Sequence, residues 1–415
     1  MDFKELKQRY AFVLSAFIAA LALVAFFDKT LAVAILFFIF LFTVAFLIFD
    51  AMGVKSRLVF LIFIFAFAAH LLAVLFISYA DFQPFGGGGG NYLGYHIQGQ
   101  EVYNRLHSGN FSVKGIATTN YYPVVVGYIY ALTSPSMLMG QIFNAWLSAF
   151  TVVIAYLIML QIGISRLAAL LTAMIINIYP SFVFFGSLLL AEALITFLAI
   201  FGLFLAIKLI DRFSWRNFMI FYLMAGFLTY VRFIIGFSLL LTFIICWIFF
   251  SNMDIKKRMI YAIVIIILLG FLPQLASQGY YGFNLIEKYI SPPHAELMPV
   301  AVATSFAIAF FNNLLGPFAW QLTRSRQAFA LLETLPWFFL FLLSVTGAAV
   351  SFKKTYQSIA PLILFSLIVL GMASFLLTNF GIITRFRIPA IISLVCLVPL
   401  SLGGLKYIKI PWRNT

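Results

Sequence analysis

Six ionised side chains interrupt an otherwise apolar chain at places where they could do chemistry: Asp81, Glu101, Glu192, Arg232, Arg385 and Arg387. Only 9% of the 415 residues are charged, 64% are hydrophobic, and the mean hydropathy is +1.09. An arginine at membrane depth costs about 2.5–3.5 kcal/mol on insertion scales. An anionic partner offsets that cost, and a phosphate suits the guanidinium fork, which offers two parallel donors. Arg385 and Arg387, in TNFGIITRFRIPAIISL, and Arg232, in GFLTYVRFIIGF, therefore read as a site for a lipid phosphate. The plainer alternative is that they snorkel to ordinary headgroups. Glu192, in FFGSLLLAEALITF, either sits in a first helical turn through the macrodipole or faces a polar cavity and contacts substrate. An intramembrane acid is costly, which favours the second reading. Asp81 directly follows an apolar run and either ends a span or serves as a general base.

The densest polar stretch is DFQPFGGGGGNYLGYHIQGQEVYNRLHSGN, residues 81–110. Its Gly86–Gly90 run lacks the Gly-Lys-Ser/Thr of a phosphate-binding P-loop; glycines here let the backbone approach a ligand. His96, His107 and His294 match no metal-ligand spacing and His70 lies inside an apolar run, so no metal and no cofactor are expected.

The elements that must position these residues are runs of spanning length. They fall near 10–27, 31–49, 58–79, 137–161, 167–186, 188–210, 217–231, 233–250, 259–276, 331–350, 359–378 and 388–404. About 20 apolar residues cross a bilayer as a helix, because lipid offers the backbone no other partners. The expectation is an all-α polytopic membrane protein with about twelve spans. Residues 1–57 form an N-terminal two-helix hairpin, 58–404 the main domain with long connections at 80–136 and 277–330, and 405–415 a short basic tail. Most of the 26 Lys and Arg residues fall on the side of the termini, which places both termini in the cytoplasm and the long connections outside. The same count makes 301–320, broken by Asn312-Asn313 and Gly316-Pro317, a re-entrant or interfacial element. The net charge of +14 is spread over short loops, so topology rather than nucleic acid explains it. Cys246 and Cys396 lie in apolar runs and read as packing residues. Lys4, Lys7 and Arg9 precede a run of full spanning length, as in a signal anchor.

Four stretches together resemble the GT-C superfamily of membrane glycosyltransferases. They are most similar to its family 39-like bacterial members, related to protein mannosyltransferases and lipid A aminoarabinose transferases. The stretches are Gly94-Tyr95-His96 with Leu106–Gly109, NYYPVVVGYIYAL at 120–132, IYPSFVFFGSLLLAEAL at 178–194, and NFGIITRFRIPAI at 379–391. They spread over about residues 80–391, each weak alone but consistent in order. The N-terminal hairpin is extra relative to the simplest layout of that family. The family usually carries an aspartate four residues before the tyrosine of Gly-Tyr-His, its presumed base. Here that position is Asn91, and an amide cannot take the proton. Either Asp81 or Glu101 replaces it, the glycine run shifts the register, or the reaction is not catalysed; Asp81 is favoured. The segment after Tyr95 is also about one helical turn longer, which puts Glu101 and Arg105 on one face if it is helical.

The resemblance implies transfer of a sugar from a polyprenyl-phosphate donor to a lipid-linked glycan, surface polysaccharide or protein acceptor, at the outer face of the plasma membrane, with inversion at the anomeric carbon. Asp81, Glu101 and Glu192 are the expected catalytic acids. Asn91, Tyr95, His96, Tyr121, Tyr122, Arg232, Arg385 and Arg387 are the expected substrate contacts, with Tyr92, Tyr95, Tyr121 and Tyr122 bordering the sugar or forming an interfacial belt. Competing readings are a polymerase or ligase of lipid-linked polysaccharide, a transporter or flippase, and a non-catalytic relative that binds a lipid-linked sugar.

Overall fold

The computed structural model of the chain describes residues 3–51, 53–54, 56–80, 89–112, 115–116, 121–252, 256, 258, 263, 299–316, 318, 331–376 and 384–403. Asp81, Gly86–Gly88, His294, nearly all of the expected span 259–276 and most of the connection 277–330 lie outside the described residues. The chain is an all-α polytopic membrane protein. Its helices are α1 (Phe3–Phe27), α2 (Lys29–Ala51), α3 (Arg57–Ala80), α4 (Gly89–His107), α5 (Tyr122–Leu132), α6 (Met137–Ile162), α7 (Arg166–Asn177), α8 (Pro180–Ser187), α9 (Glu192–Asp211), α10 (Trp215–Val231), α11 (Phe233–Phe250), α12 (Pro299–Leu315), α13 (Leu331–Leu376), α14 (Ile388–Val395) and α15 (Val398–Ser401).

The described residues do not include all of the twelve expected spans, since nearly all of 259–276 lies outside them. Among the described residues seven helices are long and apolar enough to cross a membrane, or eight if the bent pair α7 and α8 is one span. Part of the difference is physical. The 46-residue α13 is two arms joined at Thr355, whose φ of −135° is non-helical. Near one end of α13 Trp337 Nε1 bonds Leu314 O, and near the other Ser374 Oγ accepts from Asn313 Nδ2 at 2.8 Å. Both ends of α13 therefore meet the end of α12, so the chain reverses between them. The arms match the two runs expected at 331–350 and 359–378. Helix α10 has 17 residues, and the 167–186 run is broken rather than straight.

Helix α6 is the centre of the bundle. Its sequence is apolar all round, as a helix buried on every face must be, and nearly all its residues from Met139 to Met159 are buried. It stops at Gly163, whose φ of 98° is a left-handed cap that a β-carbon would strain. Ile164 N–H bonds back to Met159 O at 3.0 Å and closes that cap. Ser165 then opens α7, its hydroxyl accepting from Ala168 N–H. Trp146 of α6 donates to Leu41 O of α2 at 2.9 Å, which fastens the N-terminal hairpin to the core. Cys246 and Cys396 are buried and form no disulfide, as their apolar surroundings suggested.

Helices α10 and α11 form a hairpin with one residue at its tip. Phe218 and Phe221 both pack against Phe243, and Phe213 meets Trp247, a pairing that only antiparallel helices give. Arg232 is the tip, extended at φ −154° and ψ 94°. So tight a reversal needs Gly236, because a β-carbon there would lie 2.5 Å from the backbone N and Cα of Thr229. Gly236→Val is expected to push α11 off α10 and to destabilise the protein by about 1–3 kcal/mol, the usual range for overpacking. A thermal melt in detergent checks this; an unchanged midpoint would mean that the helices separate freely.

The tip of α10–α11, the starts of α8, α9 and α14, and the ends of α12 and α13 all meet at one end of the bundle, here the site end. The opposite end holds Lys208, Arg212, Arg216, Lys353 and Lys354, beside the contact of Gln357 with Asn252.

Candidate functional site

Two breaks in the backbone build the site. Proline at 180 lacks an N–H and disfavours the helical conformation in the residue before it, so α7 stops and α8 leaves it at 56°. Tyr179, at φ −63° and ψ 120°, is the extended joint. The second break runs from Leu188 to Ala191 and frees backbone carbonyls inside the bundle. Lipid cannot satisfy them, so the protein must. Asn144 of α6 does so, donating to Leu188 O at 2.7 Å and to Leu190 O at 2.8 Å. Its own carbonyl accepts from the Tyr122 hydroxyl at 3.1 Å. Asn144 thus fixes the segment that delivers Glu192 and ties it to α5.

Glu192 is the first residue of α9, where the helix dipole favours an acid. It is also 4% exposed and faces two arginines, so the first-turn position expected for it is combined with burial beside basic partners. Its Oε1 lies 3.3 Å from Arg232 Nη2 and 3.6 Å from Arg385 Nη1. Among the described residues its Oε2 has no hydrogen-bond partner, and neither has Nε of the buried Arg385. Arg232 lies over the Phe386 ring at 4.6 Å and Arg385 near the Phe185 ring at 5.6 Å, so aromatic faces hold both guanidinium groups.

Arg387 belongs to a separate network. It meets Glu333 at 2.6 Å, with both side chains 2% exposed, and also donates to Gly316 O. Glu333 accepts further from the Tyr179 hydroxyl at 2.8 Å, from Ser181 N–H at 3.0 Å and from the Ser181 hydroxyl. This buried network joins the starts of α8, α13 and α14 to the end of α12. Arg385 and Arg387, read from sequence as one pair, thus point to different acids.

The aromatic residues gather beside the arginines. Tyr121 meets Tyr230, two residues from Arg232, at 5.6 Å, and Tyr95 of α4 meets Tyr122 at 5.4 Å. Tyr95 and Tyr122 are buried. His96 is half-buried with Nδ1 2.8 Å from the Tyr130 hydroxyl, and burial holds its imidazole below the usual range, hence neutral at neutral pH. Asn91 is exposed on α4. Glu101 is exposed too and pairs with Arg105 at 2.6 Å, the shared helical face expected for that segment. It lies about 9 Å of helix rise beyond Tyr95, away from the Tyr95–Tyr122 contact. Among the described residues no three His, Cys, Asp or Glu side chains gather as metal ligands would.

The structure therefore brings together Glu192, Arg232 and Arg385, with Tyr121, Tyr122 and Tyr95 alongside. It sets Arg387, His96 and Glu101 into pairs of their own. The sequence reading missed Asn144 altogether and gave Glu333 no role.

No curated protein matches the chain, and no solved structure does. Residues 106–286, which include Tyr121, Tyr122, Glu192 and Arg232 but not Arg385 or Arg387, match the family model of dolichyl-phosphate-mannose-protein mannosyltransferase, a GT-C superfamily family, in agreement with the resemblance read from the motifs.

Proposed function

We propose that the chain moves a sugar from a polyprenyl-phosphate donor to a hydroxyl of a lipid-linked glycan, a surface polysaccharide or a protein. The convergence of Arg232 and Arg385 on one buried point carries this reading. Two guanidinium groups in a water-poor setting bind a phosphate and stabilise the charge that builds on it as its bond to the sugar breaks. The family match over 106–286 supports the reaction class and makes mannose the first sugar to test. The excess of Lys and Arg at the opposite end supports an extracytoplasmic site with both termini in the cytoplasm.

In the proposed step the acceptor oxygen attacks the anomeric carbon. The anomeric carbon–oxygen bond to the phosphate breaks, and its electron pair stays on the phosphate oxygen. The acceptor proton passes to a carboxylate. Asp81 is the base we favour, because it directly follows α3, whereas Glu101 is held by Arg105. Glu192 Oε2 accepts from a sugar or acceptor hydroxyl, and Tyr95, Tyr121 and Tyr122 border the sugar. Asn91 and His96 complete the α4 side.

Asp81→Asn tests this reading. Transfer from a radiolabelled polyprenyl-phosphate mannose is expected to fall about 10²–10⁴-fold, the share of a general base, while donor binding is retained. Full transfer by the variant would remove Asp81 from the mechanism and leave Glu101→Gln as the variant to make next.

A further inference from the structure

We propose that Glu192 makes this site selective for a singly charged phosphodiester over a doubly charged phosphomonoester, so that donor binds and spent carrier leaves. The inference rests on the donor-site reading above and extends it to specificity.

The charges at the site end decide the matter. Arg387 is already neutralised by Glu333 at 2.6 Å in a fully buried pair. Among the described residues that leaves Arg232, Arg385 and Glu192 facing one another, a net charge of +1. The surrounding Tyr121, Tyr122 and Asn144 add no charge.

A glycosyl polyprenyl phosphate is a diester with one negative charge. The carrier left after transfer is a monoester, with about −1.5 to −2 at neutral pH. Attraction to a fixed site grows in proportion to the ligand's charge, whereas the cost of removing that charge from water grows as its square. A site of net +1 is matched by the diester and left with excess buried negative charge by the monoester. Glu192 is the source of that excess. Its Oε1 stays within 3.6 Å of both guanidinium groups, so it lies beside whatever anion they hold. Its backbone is anchored, because Asn144 binds the carbonyls of Leu188 and Leu190 just ahead of it. The reaction itself switches the ligand: once the anomeric bond breaks, the phosphate keeps the electron pair and becomes the form that the site disfavours.

The test is a competition in lipid nanodiscs, read by native mass spectrometry on the full chain. Equal amounts of a polyprenyl monophosphate and of the same polyprenyl carrying mannosyl phosphate are offered together. The wild type is expected to favour the diester by about tenfold or more. Glu192→Gln raises the site to +2 and is expected to move the ratio at least tenfold toward the monoester, while Glu192→Asp keeps the diester preference. Equal binding of the two probes by the wild type, a measurement that needs no variant, would overturn the inference. So would a Glu192→Gln protein in which both affinities change by the same factor. If the wild type binds neither probe, the donor-site reading fails as well.

Discussion

Arg387→Ala is expected to lower the thermal stability of the protein far more than Arg385→Ala, although the two residues stand two positions apart. Arg387 is the only cation that meets Glu333 among the described residues. Removing it strands a carboxylate that is 2% exposed. Breaking one partner of a buried ion pair costs about 3–5 kcal/mol, a large part of the 5–15 kcal/mol that holds a typical fold together. Arg385→Ala leaves Glu192 still paired with Arg232 at 3.3 Å, so no acid is orphaned. Melting midpoints in detergent would show the contrast, and adding Glu333→Leu to an Arg387→Met background should recover part of the loss. Equal midpoints for the two alanine variants would mean that the Glu333 knot does not hold the helix ends together.

Function should respond the other way round. Arg232→Ala and Arg385→Ala are each expected to weaken binding of a mannosyl polyprenyl phosphate by about ten- to a hundredfold. One charge-assisted hydrogen bond contributes roughly 1.5–3 kcal/mol, and 1.4 kcal/mol is a factor of ten. Native mass spectrometry in nanodiscs resolves such a change as a lost adduct. The double variant Arg232→Ala, Arg385→Ala should show no selective adduct at all. Undiminished binding there would place the phosphate elsewhere and return the arginines to ordinary headgroup contacts.

The apolar runs made the fold class legible, because a run of spanning length has few physical alternatives in lipid. The runs did not show where helices break. Tyr179-Pro180 announced one break, but the gap at 188–191 lies in the sequence Leu-Leu-Leu-Ala, whose composition is helical. Only the tertiary position of Asn144, 44 residues from Leu188, makes that gap tolerable. An asparagine in an apolar run gives no sign of what it will satisfy. The costly charges Glu192, Arg232 and Arg385 were legible for the converse reason, since each needs a partner. Arg387 was grouped with Arg385 by proximity in sequence, yet residues two apart on helical backbone diverge by about 200°. Its partner is Glu333, and nothing in the sequence linked positions 54 residues apart.

The single-residue tip of the α10–α11 hairpin has a consequence for biogenesis. With no loop to spare, the two helices must enter the bilayer together, carrying a guanidinium at their leading point if the site end faces outward. Entering alone, that charge would oppose insertion. Its counter-charge, Glu192, stands at the start of the preceding helix and so reaches the translocation machinery first. Chain order thus lets the arginine be neutralised as it crosses, so that weakening the acid should show up early, as poor membrane integration of the nascent chain.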